Sequence, residues 1–109
     1  MSRRVVAVVA DSHFDEASRF EECQRLHAWI ADDMAARGVD VVLHGGDLYE
    51  RRSTPAERRA ASDWLRVVAD RCPVVIVRGN HDALGDLPLL AKLRTKHPIR
   101  VEEAAAVYA

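Results

Sequence analysis

Three short polar clusters in this 109-residue chain combine residue types that act together in hydrolytic chemistry. Asp11-Ser12-His13 sets a carboxylate and an imidazole two residues apart. His44-Gly45-Gly46-Asp47 adds a second carboxylate behind two glycines. Gly79-Asn80-His81-Asp82 adds an amide oxygen, another imidazole and a third carboxylate. Carboxylate, imidazole and amide oxygen are hard-to-borderline ligands. The mixture suits Mn, Fe or Zn in a hydrolytic site better than a thiolate-bound structural zinc. Gly45, Gly46 and Gly79 allow the backbone to turn sharply and bring such ligands close together. Each cluster alone is a weak signal, since Asp and Asn also favour ordinary turns. All three in one short chain point to a metal-dependent site.

Each cluster directly follows an apolar run, and those runs are the elements that must position it. Arg4–Ala10 reads as a strand buried on both faces, as in a parallel sheet. From Arg19 to Arg37, Phe20, Cys23, Leu26, Ile30 and Met34 recur at helical steps, with Ser18 and Gly38 as the expected caps. Val39–His44 is a second strand. Thr54-Pro55-Ala56-Glu57 is a capping box with proline at the first helical position. The helix it opens runs to about Arg71, with Ala60, Trp64, Val67 and Val68 on one face. Pro73–Arg78 is a third strand. Asp86 is the expected cap of a shorter helix through Leu90 and Leu93 that stops near His97-Pro98. Ile99–Val101 reads as a fourth strand, and Ala104–Ala109 as the start of another. The order β-α-β-α-β-α-β predicts an α/β fold, a mostly parallel sheet flanked by helices, with right-handed crossovers. The ends of the first three strands then share one edge of the sheet, where ligand crevices form.

Composition narrows the setting. Hydrophobic residues make up 49% and charged residues 30%, the balance of a globular chain of one domain. A formal net charge of -1 excludes a globally basic nucleic-acid binder, although the arginines from Arg51 to Arg59 leave room for a local basic patch. No apolar run approaches the ~20 residues of a membrane span, so no membrane partner is expected. The run after the charged N-terminus ends at Asp11, too short for a signal peptide. Cys23 and Cys72 have no zinc-site spacing and read as reduced core residues of a cytoplasmic protein.

The series D-x-H, G-D, G-N-H-D resembles the calcineurin-like metallophosphoesterases, over Arg4 to about Asp82. The resemblance implies the first part of a four-layer αββα-type fold and two divalent ions, with Mn foremost and Fe, Zn or Mg as alternatives. It also implies phosphoester hydrolysis through a hydroxide bridging the two ions. Carried over by motif, Asp11 and His13 would bind the first metal, Asp47 would bridge both, and Asn80 would bind the second. His81 would be catalytic rather than a ligand, acting near the leaving group. Two ions ~3.5–4 Å apart can clamp a phosphate and stabilise both attacking and leaving oxygens. A carboxylate is needed to orient His81, and Glu50 and Asp82 are both candidates. Some family members read G-D-x-x-D-R where this chain reads Gly46-Asp47-Leu48-Tyr49-Glu50-Arg51. Arg51 keeps the basic group suited to a phosphate. Tyr49, beside the metal loop, is a candidate substrate contact.

Two stretches, Asp11-Ser12-His13-Phe14 and Gly45–Glu57, further resemble the SbcD-type DNA repair exonucleases. That resemblance implies DNA as substrate, an ABC-type ATPase partner and a homodimer. A small-molecule phosphatase or phosphodiesterase, or a non-catalytic truncated binding module, are the alternatives. The family completes its site with a lone histidine and a G-H-x-H. After Asp82 this chain has only His97, followed by proline, and no G-H-x-H. Residues 1–109 are therefore expected to be the N-terminal portion of a single, truncated metallophosphoesterase domain. Such a chain would bind at most one metal well, hydrolyse little, and leave apolar surface open around Val101 and Val107. The remaining residues read blandly: His44 as packing or as a support behind the ligands rather than a ligand, Trp29 and Trp64 as packing, His27 and His97 without a site role, and Arg52, Arg58 and Arg59 as solvated charges.

Overall fold

The computed structural model describes residues 3–104. Four strands form one parallel sheet in the order β1-β2-β3-β4: β1 (Val6–Val9), β2 (Val41–His44), β3 (Val74–Val77) and β4 (Ile99–Glu102). Helix α1 (Phe20–Ala36) joins β1 to β2, and α2 (Pro55–Ala69) joins β2 to β3. A single 3-10 turn, Pro88–Lys92, lies between β3 and β4. The four expected strands and the two long helices are present; β1 is three residues shorter than the sequence pattern suggests, β2, β3 and the helices about two residues shorter, and β4 one residue longer. The last expected strand, from Ala104 onward, lies almost wholly outside the described residues.

The strand order explains where the core sits. Right-handed crossovers that always step in the same direction place every connection on the same side of the sheet. Accordingly Val42, Val74, Ile76 and Ile99 pack beneath the helices with Trp64, Leu65 and Val68. The alternate residues face the other way, and Val6, Val8, Leu43 and Val77 are exposed, Val8 at 73%. Among the described residues β1 is therefore not buried on both faces as its unbroken apolar run suggests. The open apolar surface is this sheet face. Val101 instead packs against the core, and Val107 lies outside the described residues.

Side-chain chemistry sets the helix ends. The α2 capping box forms in full: Glu57 N–H donates to Thr54 Oγ1, and Glu57 Oε1 accepts from Thr54 N–H. Glu57 Oε2 also accepts from Glu16 N–H at 2.8 Å, which ties the first loop to α2 and explains a carboxylate at 3% exposure. Gly38 ends α1 at φ 64, with Gly38 N–H on the Ala35 carbonyl and Val39 N–H on that of Met34. This is a Schellman closure.

Other expectations are corrected. Ser18 does not cap α1. The N-cap is Arg19 in the left-handed region, and Asp15 Oδ1 closes the preceding turn by accepting from Ala17 N–H. Of the expected α1 stripe, Met34 is buried and Phe20, Cys23 and Ile30 pack partly buried against the core, while Leu26 is exposed, as is Trp29; His27 and Ala31 complete the buried face. On α2, Val67 is exposed and Leu65 buried. Asp86 caps no helix: its carboxylate accepts from the backbone N–H and hydroxyl of Ser53, pinning one loop to another. Arg58 is not a free surface charge, since its guanidinium donates to the Ser53 carbonyl at 2.8 Å.

Candidate metal centre

The polar clusters stand at the carboxyl ends of β1, β2 and β3, and the backbone between them is stitched together. Past β1, Asp11 N–H donates to the Gly46 carbonyl, His13 N–H to that of Asp47 and Phe14 N–H to that of Leu48, so β1-to-β2 pairing continues into the loops. It continues with three residues forced into the left-handed region, Asp11 at φ 56, His13 at φ 49 and Asp47 at φ 54. Non-glycine residues adopt that conformation rarely and at a cost of about 1 kcal/mol or more each. In return their side chains converge. Asp11, His13 and Asp47 each offer a ligand atom, all within 4.8 Å of one another, the one such group among the described residues.

Two glycines make the approach possible. Gly46, at φ 105, lies so close to Gly79 that a Cβ on it would sit 2.7 Å from the Gly79 nitrogen. A Cβ on Gly79 would overlap the Asp47 backbone nitrogen and Oδ1. Asp82 locks the same junction. Buried at 2% exposure, its carboxylate accepts from three backbone donors: Asp47 at 2.8 Å, Gly79 at 2.9 Å and Tyr49 at 3.0 Å. These bonds hold the β2 and β3 loops in contact and direct Asp82 away from the His81 ring.

The carboxylate beside His81 is Glu50. Its Oε1 lies 3.3 Å from His81 Nδ1, which also contacts the Glu50 carbonyl at 3.2 Å. Glu50 Oε2 lies 2.6 Å from Nδ1 of His13, although the carboxylate is off the line of that ring's N–H and the nitrogen makes no aligned hydrogen bond. One side chain thus bridges both imidazoles, which meet edge-to-face with centroids 5.5 Å apart. Nε2 of His13 lies on the Asp11 side, 3.8 Å from Asp11 Oδ1. Asp47 Oδ1 accepts from His81 N–H at 2.8 Å, which carries the exposed Asn80–His81 pair up to the Asp47 loop.

Of the residues with suspected substrate roles, Arg51 reaches the site's edge, where its guanidinium bonds Asp15 Oδ1 at 3.0 Å. Tyr49 does not: it is fully enclosed in the core, its hydroxyl without a partner, and burial raises its pKa strongly. An open cleft of about 710 Å³ begins at Asp11, His13, Glu50 and Arg51 and runs along α1 past Arg19 to Leu26 and Ile30.

The donor set fits divalent cations: two carboxylates and an imidazole converge, and the Glu50 carboxylate lies beside the imidazole's other nitrogen. The whole length agrees, because the model of the calcineurin-like phosphoesterase family matches residues 4–106. The chain belongs to the calcineurin-like phosphoesterase family. The membership carries metal-dependent phosphoester hydrolysis as the family's general chemistry. No curated protein matches the chain. Among the described residues, no helix is long and apolar enough to cross a membrane.

Reasoning from the sequence missed Ser12 and His27 around this calcineurin-like centre and left His44 between packing and a support behind the ligands. Ser12 sits between the two candidate ligands of the first cluster, yet its hydroxyl faces inward to His27 Nε2 and His44 Nε2, both at 2.8 Å. Trp64 packs edge-on against the rings of both histidines. The available signal was strand alternation, which turns His44 inward with Val42. The β1–α1 loop contact that brings His27 to Ser12 leaves no mark in the sequence.

Proposed function

We propose that this calcineurin-like chain is the metal-binding part of a phosphodiesterase acting on DNA. In this reading Asp11, His13 and Asp47 hold the first divalent ion, and Asp47 with Asn80 reaches the second. The carrying observation is the convergence of the first three ligand atoms within 4.8 Å on backbone that is strained at all three positions. Strain of that kind persists where surrounding structure over-determines it, and it clusters at functional sites. Divalent ions here would supply Lewis-acid polarisation of the phosphoryl group and a nucleophile at neutral pH. The chain's own groups then have separable tasks. Glu50 orients the rings of His13 and His81 through their Nδ1 atoms. His81, with Nδ1 held, keeps Nε2 to give a proton to the departing oxygen. Arg51, at the mouth of the cleft, meets the phosphate charge. The DNA preference is supported by the likeness of Gly45–Glu57 to the repair exonucleases, and the cleft along α1 gives a strand room to lie. An ATPase partner and a dimer belong to the same reading.

Calorimetry with MnCl2 tests the centre. One resolved site is expected in the 109-residue chain, weakened at least about tenfold by Asp47→Asn. Absence of binding, or an unchanged Asp47→Asn, refutes it. Mn-dependent release of nucleotides from linear DNA, set against bis(p-nitrophenyl) phosphate, tests the substrate. Turnover of the small ester alone would remove DNA from the proposal.

A further inference from the structure

The half-buried hydroxyl of Ser12 has a directed hydrogen-bond assignment, and it follows from counting donors. Gly46 N–H can only donate, and it points at Nδ1 of His44 at 3.2 Å, so that nitrogen is the acceptor. The His44 proton therefore sits on Nε2 and goes to Ser12 Oγ. The Ser12 proton is then left for Nε2 of His27. His27 in turn carries its proton on Nδ1 and donates it to the Cys23 carbonyl at 2.8 Å. One directed chain runs Gly46, His44, Ser12, His27, Cys23, crossing from the β2 loop through the first cluster into α1. It requires both imidazoles neutral. Burial favours that state, lowering the pKa of His27 and bringing that of His44 to about 4. The Cys23 thiol adds a bond to the Ser12 carbonyl at 3.4 Å.

The chain's position gives it a consequence. Asp11 and His13 are held by backbone bonds to the Gly46 and Asp47 carbonyls, but both stand in the left-handed region, and the residue between them is anchored through its side chain. We propose that Ser12 is a positioning residue of the metal centre: clamped between His27 and His44, its hydroxyl keeps Asp11 and His13 turned toward Asp47. The role rests on the metal reading above, and what it adds is a link from α1 and the carboxyl end of β2 to the ligand geometry.

Two measurements on the full chain separate the possibilities. Long-range nitrogen–proton NMR of the metal-free protein reads the tautomers directly. The expected result is a proton on Nδ1 of His27 and on Nε2 of His44, and any other pair overturns the hydrogen-bond chain. Manganese calorimetry then compares Ser12→Thr, which keeps the hydroxyl, with Ser12→Val, which has the same shape without it. The threonine variant is expected within about threefold of wild type. The valine variant is expected to lose about 10–100-fold in affinity, the usual effect of removing an outer support of a metal ligand. Valine equal to threonine, with wild type binding manganese, overturns the positioning role and leaves the metal centre standing. Wild type that takes up no manganese overturns the metal reading and the role with it, while the tautomers still judge the hydrogen-bond chain. Should the valine variant fail to fold, Ser12→Ala replaces it, with the same affinity loss expected.

Discussion

The two edges of the one sheet are built to different standards. At the amino edge, where helices return to strands, the turns follow the least costly rules. Gly38 takes the only left-handed position there among the described residues, open space surrounds the place its Cβ would occupy, and Arg37 and Asp70 close α1 and α2 in ordinary right-handed conformation. At the carboxyl edge all four non-glycine left-handed residues of the described chain are gathered: Asp11, His13, Arg19 and Asp47. There the glycines serve contact as well as conformation, since Gly79 admits Asp47 where a methyl group would collide with it. One edge is optimised for closing turns and the other for bringing charged side chains together. The second task costs stability, which the three bonds to Asp82 and the buried contacts of the loops offset.

The sharpest way to break that comparison is a pair of identical substitutions. Gly79→Ala is expected to destabilise by about 3 kcal/mol or more, because its new methyl meets the Asp47 backbone as well as its side chain. Gly38→Ala is expected to cost only about 1 kcal/mol, the left-handed penalty alone. Urea unfolding of both measures the gap, and equal values would show that the carboxyl edge is no more tightly built than the amino edge.

Next in size is a pH effect confined to the carboxyl edge. The folded-state pKa of His44 is lowered to about 4, chiefly by burial, so between about pH 6.5 and 4 the unfolded chain binds a proton that the folded one does not. The stabilisation is present above about 6.5 and is lost as pH falls through that window, by up to about 3 kcal/mol. His27, lowered for the same reason, acts in the same direction. Unfolding curves at pH 7, 5.5 and 4.5 are expected to show the loss, and His44→Gln to flatten it. A slope unchanged by His44→Gln would assign the acid sensitivity elsewhere.

The smallest effect on stability belongs to Asp11→Gly. Glycine relieves the left-handed strain at an exposed position, so stability is expected within about 1 kcal/mol of wild type while manganese affinity falls at least about tenfold. A large destabilisation together with retained binding would mean that Asp11 is a structural residue.

Much of this was legible in the residue pattern because it depends on neighbours in sequence. The apolar runs marked all four strands, the Thr54–Glu57 box marked the start of α2 to the residue, and the clusters at the strand ends marked Asp11, His13 and Asp47 as neighbours. What misled was the assumption that an unbroken apolar strand is covered on both sides. The runs in β1 and β3 are apolar throughout, yet only one face is covered among the described residues. The α1 stripe held except at Leu26, which is exposed.

Local order, the α2 capping box and the identity of the candidate ligands follow from the sequence by itself, because backbone propensity, capping and ligand chemistry act over a few residues. Only the tertiary structure decided which carboxylate serves which ring. Glu50 and Asp82 were equal candidates on paper. Packing buried Asp82 against three backbone donors and left Glu50 between His13 and His81. It likewise decided the roles of Ser12, His27 and His44, which meet across 15 and 32 residues of chain. Such contacts form only when separate elements dock, and a buried polar group must take whatever partner the docking provides.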